Sequence, residues 1–179
     1  NDKFITGNPH PDFTYGLTSD IMLGDFEFSI FFQGSQGNDI FNVSETANLD
    51  YGMGLNMRRE VYLSHWSASN TAEQNASAKY PKITRNQRLN YSDRYVEDGS
   101  YLRLKNIQLA YNLPVSKWKV HSWLKGVKVY ISGQNLLTFT KYSGLDPEVN
   151  SWGGNINIGL DYLTYPNVKT FTFGTKIQF

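Results

Sequence analysis

Read in steps of two, residues 12–23 sort their side chains onto two unlike faces. Phe13, Tyr15, Leu17, Ile21 and Leu23 fall on one, and Thr14, Gly16, Thr18 and Asp20 on the other. Residues 26–36 repeat the pattern, with Phe26, Phe28, Ile30 and Phe32 set against Glu27, Ser29, Phe31 and Gln33. A period of two over such a length predicts a β-strand with one apolar face. Only Gly24-Asp25 separates the runs, and that pair suits a two-residue hairpin. Further strands are predicted over 101–112, 126–139 and 168–179. In the fourth, Val127, Val129, Ile131, Leu137 and Phe139 share a face, and in the fifth Phe171, Phe173, Ile177 and Phe179 do.

The first two runs are each about ten residues, the length a strand needs to cross a bilayer at the tilt of a barrel. The third is less regular: Leu102 and Leu104 fall on one face, Ile107, Leu109 and Tyr111 on the other. A bulge near Lys105-Asn106, or an upper half standing above the membrane, reconciles the two halves. Between the strands the connections run short, long (37–99), medium (113–125) and long (141–167). Transmembrane barrels alternate short periplasmic turns with long outer loops, so this order places the loops 37–99 and 141–167 outside and the C-terminus in the periplasm. A structureless loop beyond about 15 residues is hard to justify in a small globular domain. Good helix formers from Leu55 to Leu63 predict a short helix inside the longest loop, and the polar run from Ala68 to Ala78 reads as exposed. The fold class expected is all-β: about five antiparallel strands forming the C-terminal portion of a large transmembrane β-barrel with long external loops. Five strands do not close. The remainder of the barrel is therefore expected from elsewhere, and the lack of a secretory leader at Asn1 fits a piece of a longer protein.

Composition adds exclusions. With 17 basic against 16 acidic residues and no basic run, nothing points to nucleic acid. Cysteine is absent, so neither a disulfide framework nor a thiolate metal site is available. No stretch approaches the roughly 20 apolar residues of a spanning helix, and spanning strands, being half apolar, barely register in mean hydropathy. The aromatic excess of 12 Tyr, 11 Phe and 4 Trp fits either the interfacial girdles of a barrel or the aromatic core of a β-sandwich.

The chain ends T-F-G-T-K-I-Q-F. Thr172, Gly174, Ile177 and Phe179 occupy the positions of an outer-membrane barrel-assembly signal: a polar residue, a glycine, then an apolar residue and a terminal aromatic on one face. Ile177 two before Phe179 keeps both toward lipid, and Gly174 leaves room for close approach. Asp98-Gly-Ser-Tyr-Leu-Arg-Leu-Lys-Asn-Ile107, Ala110-Tyr-Asn-Leu-Pro114 and the run from Gly133 through Leu145-Asp-Pro-Glu148 resemble the late barrel of SusC/RagA-type TonB-linked outer-membrane proteins. So do Gly7–Gly16, Gly34–Gly37 and Tyr165-Pro166, in the family's order, and the likeness spans essentially the whole chain. The resemblance implies a barrel of about 22 strands with a plugged lumen, of which these are roughly the last five. It implies outer-membrane lipid around the wall and a SusD-type surface lipoprotein above it. The plug and TonB, which acts through the N-terminal part, complete the system. The expected activity is TonB-dependent active import of a bulky nutrient, an oligosaccharide ahead of a peptide. No residue of this chain is assigned to the energised step.

Candidate chemistry is thin. His10, His65 and His121 show no metal-ligand spacing, and neither a metal, a cofactor nor a catalytic residue is expected. Asp146 and Glu148 flank a proline and read as loop-ordering residues ahead of an acid/base pair, and with Asp161 they match no recognised calcium loop. Asp93, Arg94, Glu97 and Asp98 read as a local salt-bridge cluster. Trp66, Trp152 and Tyr162, with Tyr51 and Tyr62 nearby, are the candidates for contact with substrate or lid in the external loops. Trp118 and Trp123 read as interfacial anchors. Glu27, Ser29, Gln33, Ser132 and Gln134 face the lumen if the alternation holds. The rival from another class is a secreted β-sandwich carbohydrate-binding module, which would bury its Phe-rich faces and gain nothing from a barrel-assembly signal. A passive porin differs only in lacking plug and TonB coupling.

Overall fold

The computed structural model describes residues 4–47, 56–83, 92–117, 123–151, 153–154 and 156–179. The chain divides into two compact units, one built from Asn1–Pro9, Asp39–Glu97 and Val149–Thr164, the other from His10–Asn38, Asp98–Glu148 and Tyr165–Phe179.

The second unit is a single antiparallel sheet of five long strands. They are β1 (Phe13–Leu23), β2 (Phe26–Gln36), β5 (Tyr101–Leu113), β6 (Gly126–Thr140) and β8 (Thr170–Gln178), in the order β1-β2-β5-β6-β8. Gly24 turns the first hairpin at φ +59°, as the first central position of a type II′ turn requires. Cross-strand register collects the apolar positions into rows. Ile21, Phe28, Leu109, Ile131 and Phe173 stand side by side across all five strands, and Leu17, Phe32, Leu104 and Leu137 across four. The opposite face carries the row Asp20, Ser29, Gln108, Ser132 and Thr172. One register shift keeps the two faces pure: between Leu104 and Asn106 an extra residue, Lys105, returns Ile107 and Leu109 to the face of Leu102 and Leu104.

Exposure on this sheet is inverted relative to a water-soluble protein. On the apolar face Leu17 is 64 % exposed and Phe173 77 %, whereas Arg103 on the polar face is 1 % exposed. A sandwich would bury the first face. Here it forms a broad apolar surface far larger than scattered surface hydrophobes account for. Among the described residues no helix is long and apolar enough to cross a membrane.

The first unit folds residues that alternation left as loop. Three short strands, β3 (Asp39–Asn42), β4 (Val96–Asp98) and β7 (Leu160–Asp161), form a small sheet in the order β4-β3-β7. Strand β7 pairs parallel with β3, Phe41 opposite Leu160 and Asn42 opposite Asp161. Around it lie α1 (Val43–Ala47), α2 (Arg59–Leu63) and α3 (Ala72–Ala76). Its core is minimal: Val61 and Tyr95 are buried with Phe41 and Tyr80 packed against them, and the Phe41 and Tyr95 rings meet edge-on at 6.2 Å. Polar side chains do much of the remaining ordering. Thr71 and Gln74 exchange the two hydrogen bonds of a capping box at the start of α3. The Asn75 carboxamide both donates to Ser67 O and accepts from Ser67 N–H.

Candidate functional site

A polar cluster occupies one end of the sheet's polar face. Arg103 reaches from β5 with its guanidinium fork spread over two carboxylates: one terminal nitrogen donates to Asp146 Oδ1 at 2.5 Å and the other to Glu148 Oε2 at 2.6 Å. Lys105, turned to the same side by the bulge, donates to Glu148 Oε2 at 3.0 Å, and the Tyr101 hydroxyl donates to Oε1 at 2.9 Å. Backbone N–H groups complete the set. Glu148 N–H donates to Asp146 Oδ1 and Asn167 N–H to Oδ2, both at 2.9 Å. Burial alone would raise the Asp146 carboxyl, but the Arg103 guanidinium and these two backbone donors outweigh it and hold the group below the ordinary aspartate value. Two cations meet two carboxylates, so the cluster carries no net charge. Every carboxylate oxygen has a donor, and neither Asp146 nor Glu148 is a free acid or base. Of the guanidinium, only Arg103 Nε lacks a partner among the described residues.

The other end of the polar face, beside the hairpin, holds a more open contact. Lys128 on β6 pairs with Glu27 on β2 at 2.6 Å, and the Asn112 carboxamide donates to the same carboxylate at 2.7 Å. Nearby, the Tyr130 ring lies directly over Gly174, its register partner on β8, where a Cβ would stand 2.4 Å from the ring. The glycine expected to permit close backbone approach thus makes room for an aromatic ring. Thr172 and Gly174 lie on the polar face, in register with Ser132 and Tyr130, while Ile177 is in register with Val127 on the apolar one. Beyond the end of β8, the Phe179 ring stacks on Trp123 at 5.8 Å and 11°.

In the loop unit, Trp66 follows α2 and is held through its backbone N–H, which donates to Tyr80 O, and the residue is 40 % exposed. Tyr162 follows β7. Its backbone N–H donates to Ser151 Oγ at 2.7 Å, and the residue is 47 % exposed. Tyr62 is exposed and stands against His65. Trp152, Tyr51, Trp118 and His121 lie outside the described residues. A pocket of about 300 Å³ in the same unit is lined by residues that include Asn8, Asp39, Phe41, Val96, Ile158 and Leu160. Arg94 lies over the Tyr80 ring, Glu97 accepts from the Asn42 carboxamide, and Asp98 accepts from Ser100 N–H; the Ser100 side chain and then that N–H hold its carboxyl below the ordinary value. Among the described residues no group of three or more histidines and carboxylates stands close enough to hold a metal ion.

Comparison with known proteins joins this geometry to a family. No family model matches the chain. TonB-dependent receptor P3 of Formosa agariphila is 43 % identical over 183 residues, covering 99 % of this chain. TonB-dependent receptor SusC of Bacteroides thetaiotaomicron is 34 % identical over 183 residues, again across 99 % of it. The RagAB peptide importer in its closed-closed state superposes on 97 % of the chain with a TM-score of 0.78 and 27 % identity. Its open-open state does so on 95 % with a TM-score of 0.76 and 28 % identity.

The chain belongs to the SusC/RagA-type TonB-dependent receptors.

It spans 17 % of the length of receptor P3, 16 % of SusC and 18 % of the matched RagAB chain. For a SusC/RagA-type receptor the five-stranded sheet is a segment of the wall of a large barrel, which explains the exposed apolar face. The motifs that carry the likeness also acquire a physical role. Tyr101, Arg103 and Lys105 of the first run and Asp146 and Glu148 of the second, more than 40 residues apart, meet in one cluster. The sequence shows Asp146 and Glu148 as loop-ordering residues but does not reveal the partners through which they order the loop. The available signal was Arg103 itself, a charge on the polar side of a strand whose neighbours Leu102 and Leu104 face the other way.

Proposed function

We propose that the whole protein is an outer-membrane, TonB-dependent active importer of a bulky nutrient, and that this chain supplies five consecutive strands of its barrel wall. The observation that carries the reading is the continuous apolar face across β1, β2, β5, β6 and β8, backed by a polar face with buried ion pairs. Lipid is the medium that stabilises such a surface. Strands β1 and β8 each pair on one side only among the described residues, and the remaining strands of the barrel complete them. The loops 37–99 and 141–167 stand on the outer side and the C-terminus on the periplasmic side, where Trp123 and Phe179 form an interfacial aromatic pair. Thr172, Gly174, Ile177 and Phe179 serve as the barrel-assembly signal.

A SusD-type lipoprotein covers the outer loops, and TonB drives a plug through residues outside this chain. The cargo is an oligosaccharide, with the exposed residues Trp66 and Tyr162 as stacking platforms in the loop unit. A peptide cargo is the second reading, supported by the RagAB peptide importer, whose structure superposes on this chain. Deleting the gene and supplying glycan polymers or peptides as sole carbon source separates the two. Loss of growth on one glycan class, restored by the full-length gene, supports the first. Loss of growth on peptides alone supports the second, and unchanged growth on all of them overturns the importer reading.

A further inference from the structure

The chain passes from the sheet unit into the loop unit at Val149 and returns at Tyr165. Both crossings abut the same polar cluster. On the outgoing side are Asp146 and Glu148; on the returning side is Asn167, which donates its backbone N–H to Asp146 Oδ2 at 2.9 Å and its carboxamide to Glu148 Oε2 at 3.0 Å. Arg103 and Lys105 hold the same two carboxylates from strand β5. The two legs of one long connection are thus tied to each other and to a strand that is not adjacent to them in sequence.

We propose that Arg103 and Lys105 form an ionic strap that fastens both legs of the 141–167 connection to the barrel wall. Conformational change in residues 149–164 then stops at 148 and 165 and does not pull on β6 and β8. Buried ion pairs are poor glue, since desolvation offsets much of their attraction, and apolar residues could hold two segments together as firmly. What charged, hydrogen-bonded contacts add is direction. The planar fork of Arg103 spans Asp146 and Glu148 at once, so it accepts one seating of the loop, and a lysine at this position reaches only one carboxylate. The bulge serves the same end. Inserting Lys105 keeps Leu102, Leu104, Ile107 and Leu109 on one apolar face while giving Glu148 a second cation. This goes beyond the importer reading and does not depend on the cargo.

The test is amide hydrogen exchange, read peptide by peptide, on the full-length receptor in detergent. The proteins compared are wild type, Arg103→Lys and the milder Glu148→Gln. Exchange in 142–148 and 165–168 is expected to accelerate at least tenfold in both variants, with 127–133 of β6 and 171–177 of β8 unchanged. Wild-type exchange in 142–148 in both variants overturns the proposal. So does loss of protection in β6 and β8 together with the loop, which would make the cluster a general packing element. Heat-modifiable migration and nutrient uptake, measured on the same variants, report on the importer reading separately. A receptor that inserts and imports normally with unaltered exchange sinks the strap and leaves that reading standing.

Discussion

Arg103 and Lys128 both rise from the polar face of one sheet toward carboxylates, yet they work in different media. Arg103 and its partner Asp146 have side chains 2 % and 6 % exposed, whereas Lys128 and Glu27 retain 30 % and 29 %. The first pair belongs to a closed set in which the donors come from a strand, a loop and the returning chain. The second reaches over β5 from β6 to β2, strands that the backbone ladders on either side of β5 already hold in register. Burial therefore turns a charge pair into a specification of where a loop sits, while partial exposure leaves it a modest decoration of a wall that would stand without it.

The sharpest way to break that contrast is Arg103→Met, which leaves the buried Asp146 carboxylate without its cation while Glu148 keeps Lys105. It is expected to cost about 3–5 kcal/mol, read as a lower denaturation midpoint of the full-length receptor in detergent. Next, the two faces of β8 can be set against each other. Phe173→Arg is expected to cost about 2–4 kcal/mol if that ring faces mid-bilayer lipid, and Thr172→Arg, one residue away on the polar face, markedly less. Equal costs would contradict the two-faced wall. Gly174→Ala drives a methyl group into the Tyr130 ring and is expected to cost about 1–3 kcal/mol. Combining it with Tyr130→Ala should recover most of that loss, and a strictly additive double variant would show that the contact carries none of it.

Acid should loosen the strap with a defined sign. The Asp146 carboxyl lies below its ordinary value in the folded protein. Its contribution is therefore complete above the unfolded aspartate value of about 4 and drains away as pH falls through the lower folded value. Stability referenced to an Asp146→Asn variant should be level from neutral pH down to that point and decline below it. A decline beginning near neutrality would point to another group. The smallest effect is expected from Lys128→Met, whose midpoint should be indistinguishable from wild type.

Much of the sheet was legible because barrel strands obey a period of two over lengths that few other elements sustain. The strand ends at Leu23, Phe26 and Gln36 coincide with where the alternation stops, and the irregularity of 101–112 resolves into a bulge at Lys105. The loop unit was not legible, apart from a helix within 55–63, for a physical reason. Its strands are two to four residues long, too short to show a period, and β3 pairs with β7 across more than 100 residues. Its order comes from single contacts such as the Asn75 carboxamide on Ser67 and the Thr71–Gln74 capping box. Of these, only the capping box has a pattern in sequence. The Arg103 cluster fell between these cases: both halves were visible as motifs, but only the fold could bring them together.

The central claim is that odd-numbered residues of β8 face lipid and even-numbered ones the barrel interior. Spin labels placed singly from 171 to 177 in the full-length receptor, reconstituted in lipid, test it through collision with oxygen and with a water-soluble nickel complex. Oxygen accessibility should peak at 171, 173, 175 and 177 and dip at 172, 174 and 176, with a period of two. A flat profile, or nickel accessibility highest at 171 and 173, would show the apolar face in water and contradict the account.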